Sequence, residues 1–358
     1  MKKIPGLLAF LALALPALAR DQVVALDPAA LIRSKYNFYE RAGVTGRDGY
    51  SIAVSSRGWI VKLDDSGKAL WRIKSGCVPG SPAALDEQMV YYPCENGQYL
   101  ALESATGKQL WKYDFADSVA SPAAIGEDFI IFQTGDGRVF SLNKSDGSLK
   151  WLARQTARYN LSLRPAGAPL ILDRVIYLGM ADGVFAALNV ESGDLIWKRR
   201  IFERPITSDI DFPLIYDDQA IYASSREGIC SVSRTSGKNY WCLDEQLALA
   251  PAQDADAIYA LSTADELLII DKLAGKALKR IAIEQSGLAK FECQNPLLVL
   301  PDQEDVLIVF SNKIIRIQPQ SEKPKLVRFF TRLIQSAEFL NQKLYLISSK
   351  GLLILTEI

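Results

Sequence analysis

The run FIIFQTGDGRVFSLNKSDGSLKW, from Phe129 to Trp151, decides the fold. Apolar and polar residues alternate on either side of Thr134-Gly-Asp-Gly137, the pattern of two strands joined by a tight turn. A second turn, Ser145-Asp-Gly147, feeds a third strand that carries Trp151. The closing phrase Gly-x-x-x-Trp recurs at Gly67 to Trp71, Gly107 to Trp111, Gly147 to Trp151, Gly193 to Trp197 and Gly237 to Trp241. Successive tryptophans lie 40, 40, 46 and 44 residues apart, and five of the six in the chain are used this way. A fixed period of this size marks a repeat architecture.

Working outward, equivalent hairpins start near Tyr50, Met89, Val175, Ala220, Ala257, Val306 and Lys343, which with Phe129 makes eight. An apolar run such as Ser81 to Ala84 or Ser121 to Ala124 precedes most of them, so each unit has four strands. A lone four-stranded sheet exposes both faces and must stack on neighbours, which predicts an all-β, eight-bladed β-propeller of four-stranded antiparallel blades. The tryptophan is then the residue that fills the gap between sheets. After the fifth unit the phrase decays, to Gly275-Lys-Ala-Leu-Lys279 and then to Glu322-Lys-Pro-Lys-Leu326. The last hairpin runs off the chain end without an outer strand. Val23 to Tyr36 is the expected donor of that strand, so that amino- and carboxy-terminal strands pair and close the ring.

The first 19 residues read as a cleaved secretory signal: Lys2 and Lys3, the apolar run Leu7 to Leu15, and Ala17-Leu-Ala19. Residues 20–358 are then a single propeller domain, at about 42 residues per blade. Without Lys2 and Lys3 the charge balance is 39 basic against 41 acidic residues, too even for a nucleic-acid binder. The run Lys198-Arg-Arg200 is read as a solvated face. Export makes Cys77 with Cys94, and Cys230 with Cys242, candidate disulfides, the second across neighbouring strands; Cys293 is left over as a small buried hydrophobe.

The absence of histidine excludes Ser-His-Asp and Cys-His catalysis and His-ligated zinc. No catalytic, metal or cofactor residue is expected, and the acidic doublets Asp64-Asp65 and Asp217-Asp218 fall at turns.

The unit with its Asp-x-x-x-Gly-x-x-x-Trp ending resembles the quinoprotein-type propeller repeat, in which both quinone-dependent dehydrogenases and cofactor-free scaffolds occur. Two segments resemble one branch, the BamB family of propeller subunits of the bacterial outer-membrane barrel assembly machinery. They are Asn160-Leu-Ser-Leu-Arg-Pro-Ala-Gly-Ala-Pro169 and Ser208-Asp-Ile-Asp-Phe-Pro213. The resemblance implies a non-enzymatic periplasmic scaffold at the inner face of the outer membrane. It implies docking on the POTRA repeats of the BamA-type barrel-forming subunit through Leu161, Leu163, Arg164, Asp209 and Asp211, with unfolded outer-membrane proteins as clients. Leu161 and Leu163 are expected on one side of a strand beside a guanidinium fork, with the two carboxylates accepting partner cations or steadying Arg164. Typical family members are lipoproteins, whereas Arg20 here follows the cleavage site, so membrane association is expected only through the partner. The alternatives are a pyrroloquinoline-quinone-dependent oxidoreductase, for which no adjacent cysteine pair is present, and a carbohydrate-binding propeller using Trp59.

Overall fold

In the computed structural model the described residues are 22–24, 43–47, 49–55, 58–116, 121–155, 167–203, 208–283, 296–302, 305–320, 323–330, 334–340, 342–348 and 351–355. Their strands form eight four-stranded antiparallel sheets. Blades 1 to 7 each take four consecutive strands, spanning 43–74, 84–114, 124–154, 170–200, 215–244, 252–282 and 296–329. Blade 8 has the strands Ile334–Leu340, Lys343–Ser348 and Gly351–Leu355, with Gln22–Val24 as the fourth. Gln22 lies opposite Ile354 and Val24 opposite Leu352. Residues 25–36 of the expected donor run lie outside the described residues, as do the signal segment and Cys293.

First strands touch one another at the junctions of blades 6, 7, 8, 1, 2, 3 and 4 in turn. Middle strands are covered on both faces, so Phe129–Gln133, Ala220–Ser225 and Gly228–Ser233 are buried at every position. Their near-continuous apolar character follows from that double cover. Outer strands alternate instead, as in Gln109–Asp114 and Asn239–Asp244. Among the described residues the apolar side chains fall into eight cores, one at each junction between blades, including Val44, Ala53 and Val61 with Tyr345, Ile347 and Ile354 between blades 1 and 8.

The repeated phrase is explained by what crosses these junctions. In blades 1 to 5 a register shift in the pairing of the third and fourth strands falls directly beside the tryptophan. Such bulges re-aim a side chain. Each indole N–H donates to a carbonyl in the next blade: Trp71 to Ser104 at 3.0 Å, Trp111 to Lys144 at 2.7 Å, Trp151 to Val190 at 3.1 Å, Trp197 to Arg234 at 3.2 Å and Trp241 to Lys272 at 2.8 Å. The ring then lies on the bare glycine of that next blade. A Cβ on Gly147 would sit 2.5 Å from Trp111, and one on Gly275 would sit 2.2 Å from Trp241. Gly147 and Gly275 also have φ of 72° and 66°, so turn geometry and ring contact both demand glycine.

Lys279 keeps the bond without the ring, since its Nζ donates to Pro319 O at 2.6 Å in blade 7. In blade 7 the register shift between Ile314 and Ile315 puts Arg328 opposite Ile314 and Leu326 opposite Ile315. The ladder position that carries the tryptophan in blades 1 to 5 is held here by Lys325, which pairs with Arg316 opposite Leu307, and not by the Leu326 that spacing from Glu322 had pointed to, because this hairpin pairs without a shift to its tip at Gln318 and Lys323.

Candidate functional site

Within each blade the strands alternate direction, so the turn from second to third strand shares an end of the propeller with the crossover to the next blade. Of the two motif segments, residues 167–169 and 208–213 are described, and they lie just before blade 4 and on the crossover from blade 4 to blade 5. Leu161, Leu163 and Arg164 fall outside the described residues. Asp209 and Asp211 are both half-buried.

The two crossovers meet. A Cβ on Gly167 would lie 3.0 Å from Phe212 O and 3.3 Å from Asp211 O, so the main chain of one segment runs against the other. From blade 3, the Gln133 amide donates to Gly167 O at 2.9 Å and to Gly179 O at 3.0 Å. Gln133 is buried, so these bonds satisfy an amide that would otherwise be costly there.

Asp209 has a use inside the fold. Its Oδ1 accepts the main-chain N–H of Asp182 at 3.0 Å, in the turn of blade 4. The Ser208 hydroxyl donates to Glu227 Oε2 at 3.2 Å, in the matching turn of blade 5. The segment thus bridges two blades. Asp182 is itself buried and ion-paired with Arg200, whose guanidinium donates to both carboxylate oxygens and to Asp182 O. Arg200 is therefore not part of a solvated basic face. Lys198, nearby on the same strand, has its ammonium pKa lowered by desolvation.

The cysteine pairs are bonded: Cys77 to Cys94 ties the crossover before blade 2 to that blade's second strand, and Cys230 to Cys242 joins register partners in blade 5. Asp64 and Asp217 of the acidic doublets accept main-chain N–H groups in their own turns, at 2.9 Å from Ser66 and Gln219. Trp59 lies beneath Arg72 and Lys74, 6.0 and 5.9 Å from its ring. Among the described residues no group of three or more Cys, Asp or Glu side chains is placed to share a cation. The Asp182–Arg200 pair and the Ser208–Glu227 bond escape sequence reading. The only hint is the Asp182-Gly183 turn next to a strand ending in arginine.

Known proteins share these features. The PQQ_2 family, described as outer membrane protein assembly factor BamB, matches residues 56–280, more than half of the chain. The BamB of Kangiella koreensis is 26% identical over 125 residues, 33% of this chain and 32% of that protein. The chain thus aligns with about a third of that relative's length. The crystal structure of BamB from Moraxella catarrhalis superposes with a TM-score of 0.75 at 20% identity, over 87% of this chain and 95% of that one. The quinohemoprotein alcohol dehydrogenase of Comamonas testosteroni superposes at 0.67 with 10% identity, over 89% of this chain and 75% of that one. A BamB and an alcohol dehydrogenase thus share the fold, and fold alone does not assign the activity.

Proposed function

Because the chain belongs to the family of the outer membrane protein assembly factor BamB, we propose that it is a non-enzymatic periplasmic scaffold that docks on the POTRA repeats of the barrel-forming subunit of the outer-membrane assembly machinery. Residues 1–19 direct export, and the partner holds the protein at the membrane. The docking surface is the end of blades 3 to 5 that carries Leu161, Leu163, Arg164, Asp209 and Asp211. The observation supporting it most is that the segment ending the first motif runs against the second, at Gly167 and Asp211-Phe212. Apolar side chains rimmed by charge on a rigid frame suit protein docking.

Unfolded outer-membrane proteins are the clients. The outer strand of each blade offers them an edge, and exposed Leu70, Leu110, Ile196 and Tyr240, each next to its blade's tryptophan, give that edge an apolar side.

The test is capture of the purified POTRA repeats by wild type and by Leu163→Ala/Arg164→Ala. Capture is expected to fall while the melting temperature holds. Equal capture by the two proteins refutes the assigned surface.

A further inference from the structure

The turn of blade 4 grips the crossover to blade 5 more tightly than chain connectivity requires. Asp182 is 3% exposed and holds a left-handed backbone, φ 62°. Its carboxylate receives the fork of Arg200, with the N–H to Oδ1 distance at 2.7 Å, and the same guanidinium reaches Asp182 O at 2.7 Å. The Asp182 N–H then goes to Asp209 Oδ1. Next along the crossover, the Ile210 N–H donates to Met180 O at 3.0 Å. Gly179 is bare at this contact, because a Cβ there would lie 2.4 Å from Ile210 Cγ2 and 2.5 Å from Ile210 O. On its other flank, Ser208 is bonded to Glu227 of blade 5. Residues 208–210 are thus held from both blades, and the grip on the blade 4 side includes the charged Asp182–Arg200 pair.

Resting on the docking reading above, we propose that Asp182 and Arg200 are positioning residues for the partner surface. The guanidinium fixes the 180–183 turn, the turn fixes Asp209, and Asp209 sets the path of the chain that presents Asp211. Neither Asp182 nor Arg200 touches the partner. They act by ordering the segment before binding, so that little conformational freedom is lost when the complex forms. A bidentate arginine pair suits this role because it defines orientation as well as distance.

The experiment measures the affinity of the purified full chain for purified POTRA repeats. Asp182→Asn keeps the side-chain size and tolerates the left-handed backbone while removing the charge that Arg200 faces. Affinity is expected to fall roughly tenfold in this variant. Arg200→Met should do the same, and Arg200→Lys, which retains the charge, should lose less. Asp182→Asn should add little in an Asp209→Asn background, because both act along one chain of contacts. General damage to the fold gives no such non-additivity. Wild-type affinity in Asp182→Asn and Arg200→Met, with Asp209→Asn weakened, overturns the positioning role and leaves the docking reading standing. Unchanged affinity in Asp209→Asn and Asp211→Asn overturns both. Where Asp182→Asn does not fold, Arg200→Lys decides, and affinity equal to wild type refutes the proposal.

Discussion

Blades 1 to 6 and blades 6 to 8 build the same sheet-on-sheet contact by different means. In the first arc each junction carries an indole that lies on a bare glycine and donates to a carbonyl of the next blade. Aromatic neighbours reinforce it, as where Phe132 stacks on Phe140 with ring centroids 5.0 Å apart, or Phe185 meets Trp197 edge-on at 5.4 Å. In the second arc the cores are mostly Ile, Val and Leu, and a lysine takes over the forward hydrogen bond at the junction of blades 6 and 7. Aliphatic packing is non-directional, while an indole needs its glycine. The first arc has only one sequence solution and keeps a visible repeat. The second has many solutions and loses it.

The comparison can be broken most forcefully at an indole. Trp197→Ala removes a 7% exposed ring, its aromatic partners and its bond to Arg234. A loss of about 3–5 kcal/mol is expected in urea unfolding. Gly237→Ala attacks the same junction from the glycine side, where φ is 67° and a Cβ would lie 2.5 Å from the Trp197 ring. Roughly 2–4 kcal/mol should be lost through strain and overpacking, and the double variant should cost less than the sum. Additive losses would mean that ring and glycine are not one contact.

In the second arc, a chain beginning at Leu26 lacks Gln22–Val24 and leaves Gly351–Leu355 without its outer neighbour. About 2–3 kcal/mol should go, from a few ladder bonds at about 1 kcal/mol each. An unchanged urea midpoint would show that this pairing does not hold the ring shut.

Glu338, on the first strand of blade 8, has its carboxyl pushed up to about 7 by burial. A carboxyl whose folded pKa exceeds its unfolded value stabilises the fold in its neutral form. That stability is complete below the ordinary value of 4.5 and is lost as pH rises through about 7. Glu338→Gln should therefore be more stable than wild type above pH 8, by on the order of 2 kcal/mol, and the gain should vanish at pH 4. A pH-independent difference would argue against a titrating Glu338. Smallest is Lys279→Met, which keeps the stem and removes one hydrogen bond to Pro319, for about 1 kcal/mol.

These contrasts explain what was legible in the sequence. The phrase Gly-x-x-x-Trp was readable because its two ends serve two different junctions, the glycine receiving the preceding indole and the tryptophan reaching forward. The hairpins of blades 7 and 8 were readable from alternation alone, but the tryptophan place in blade 7 was not, since the unshifted pairing of Gln318 with Lys323 moved it from Leu326 to Lys325. At the candidate site, Asp209 and Asp211 were found through a motif. Asp182 and Arg200 were not, because 18 residues separate them and the bond joins a turn to a strand end. Neither position has a periodicity that would mark it.

The forward reach of the indoles also sets an order in time. Each tryptophan's acceptor lies 33, 33, 39, 37 or 31 residues further along the chain. As the chain emerges from the ribosome, each of these five blades waits with an uncovered ring until most of its successor has arrived. The contact of Lys343 with Asp65 O spans 278 residues and comes only with the last blade. Until then a nearly complete arc presents two open faces, and this is the stage at which a second nascent copy competes with the chain's own final blade.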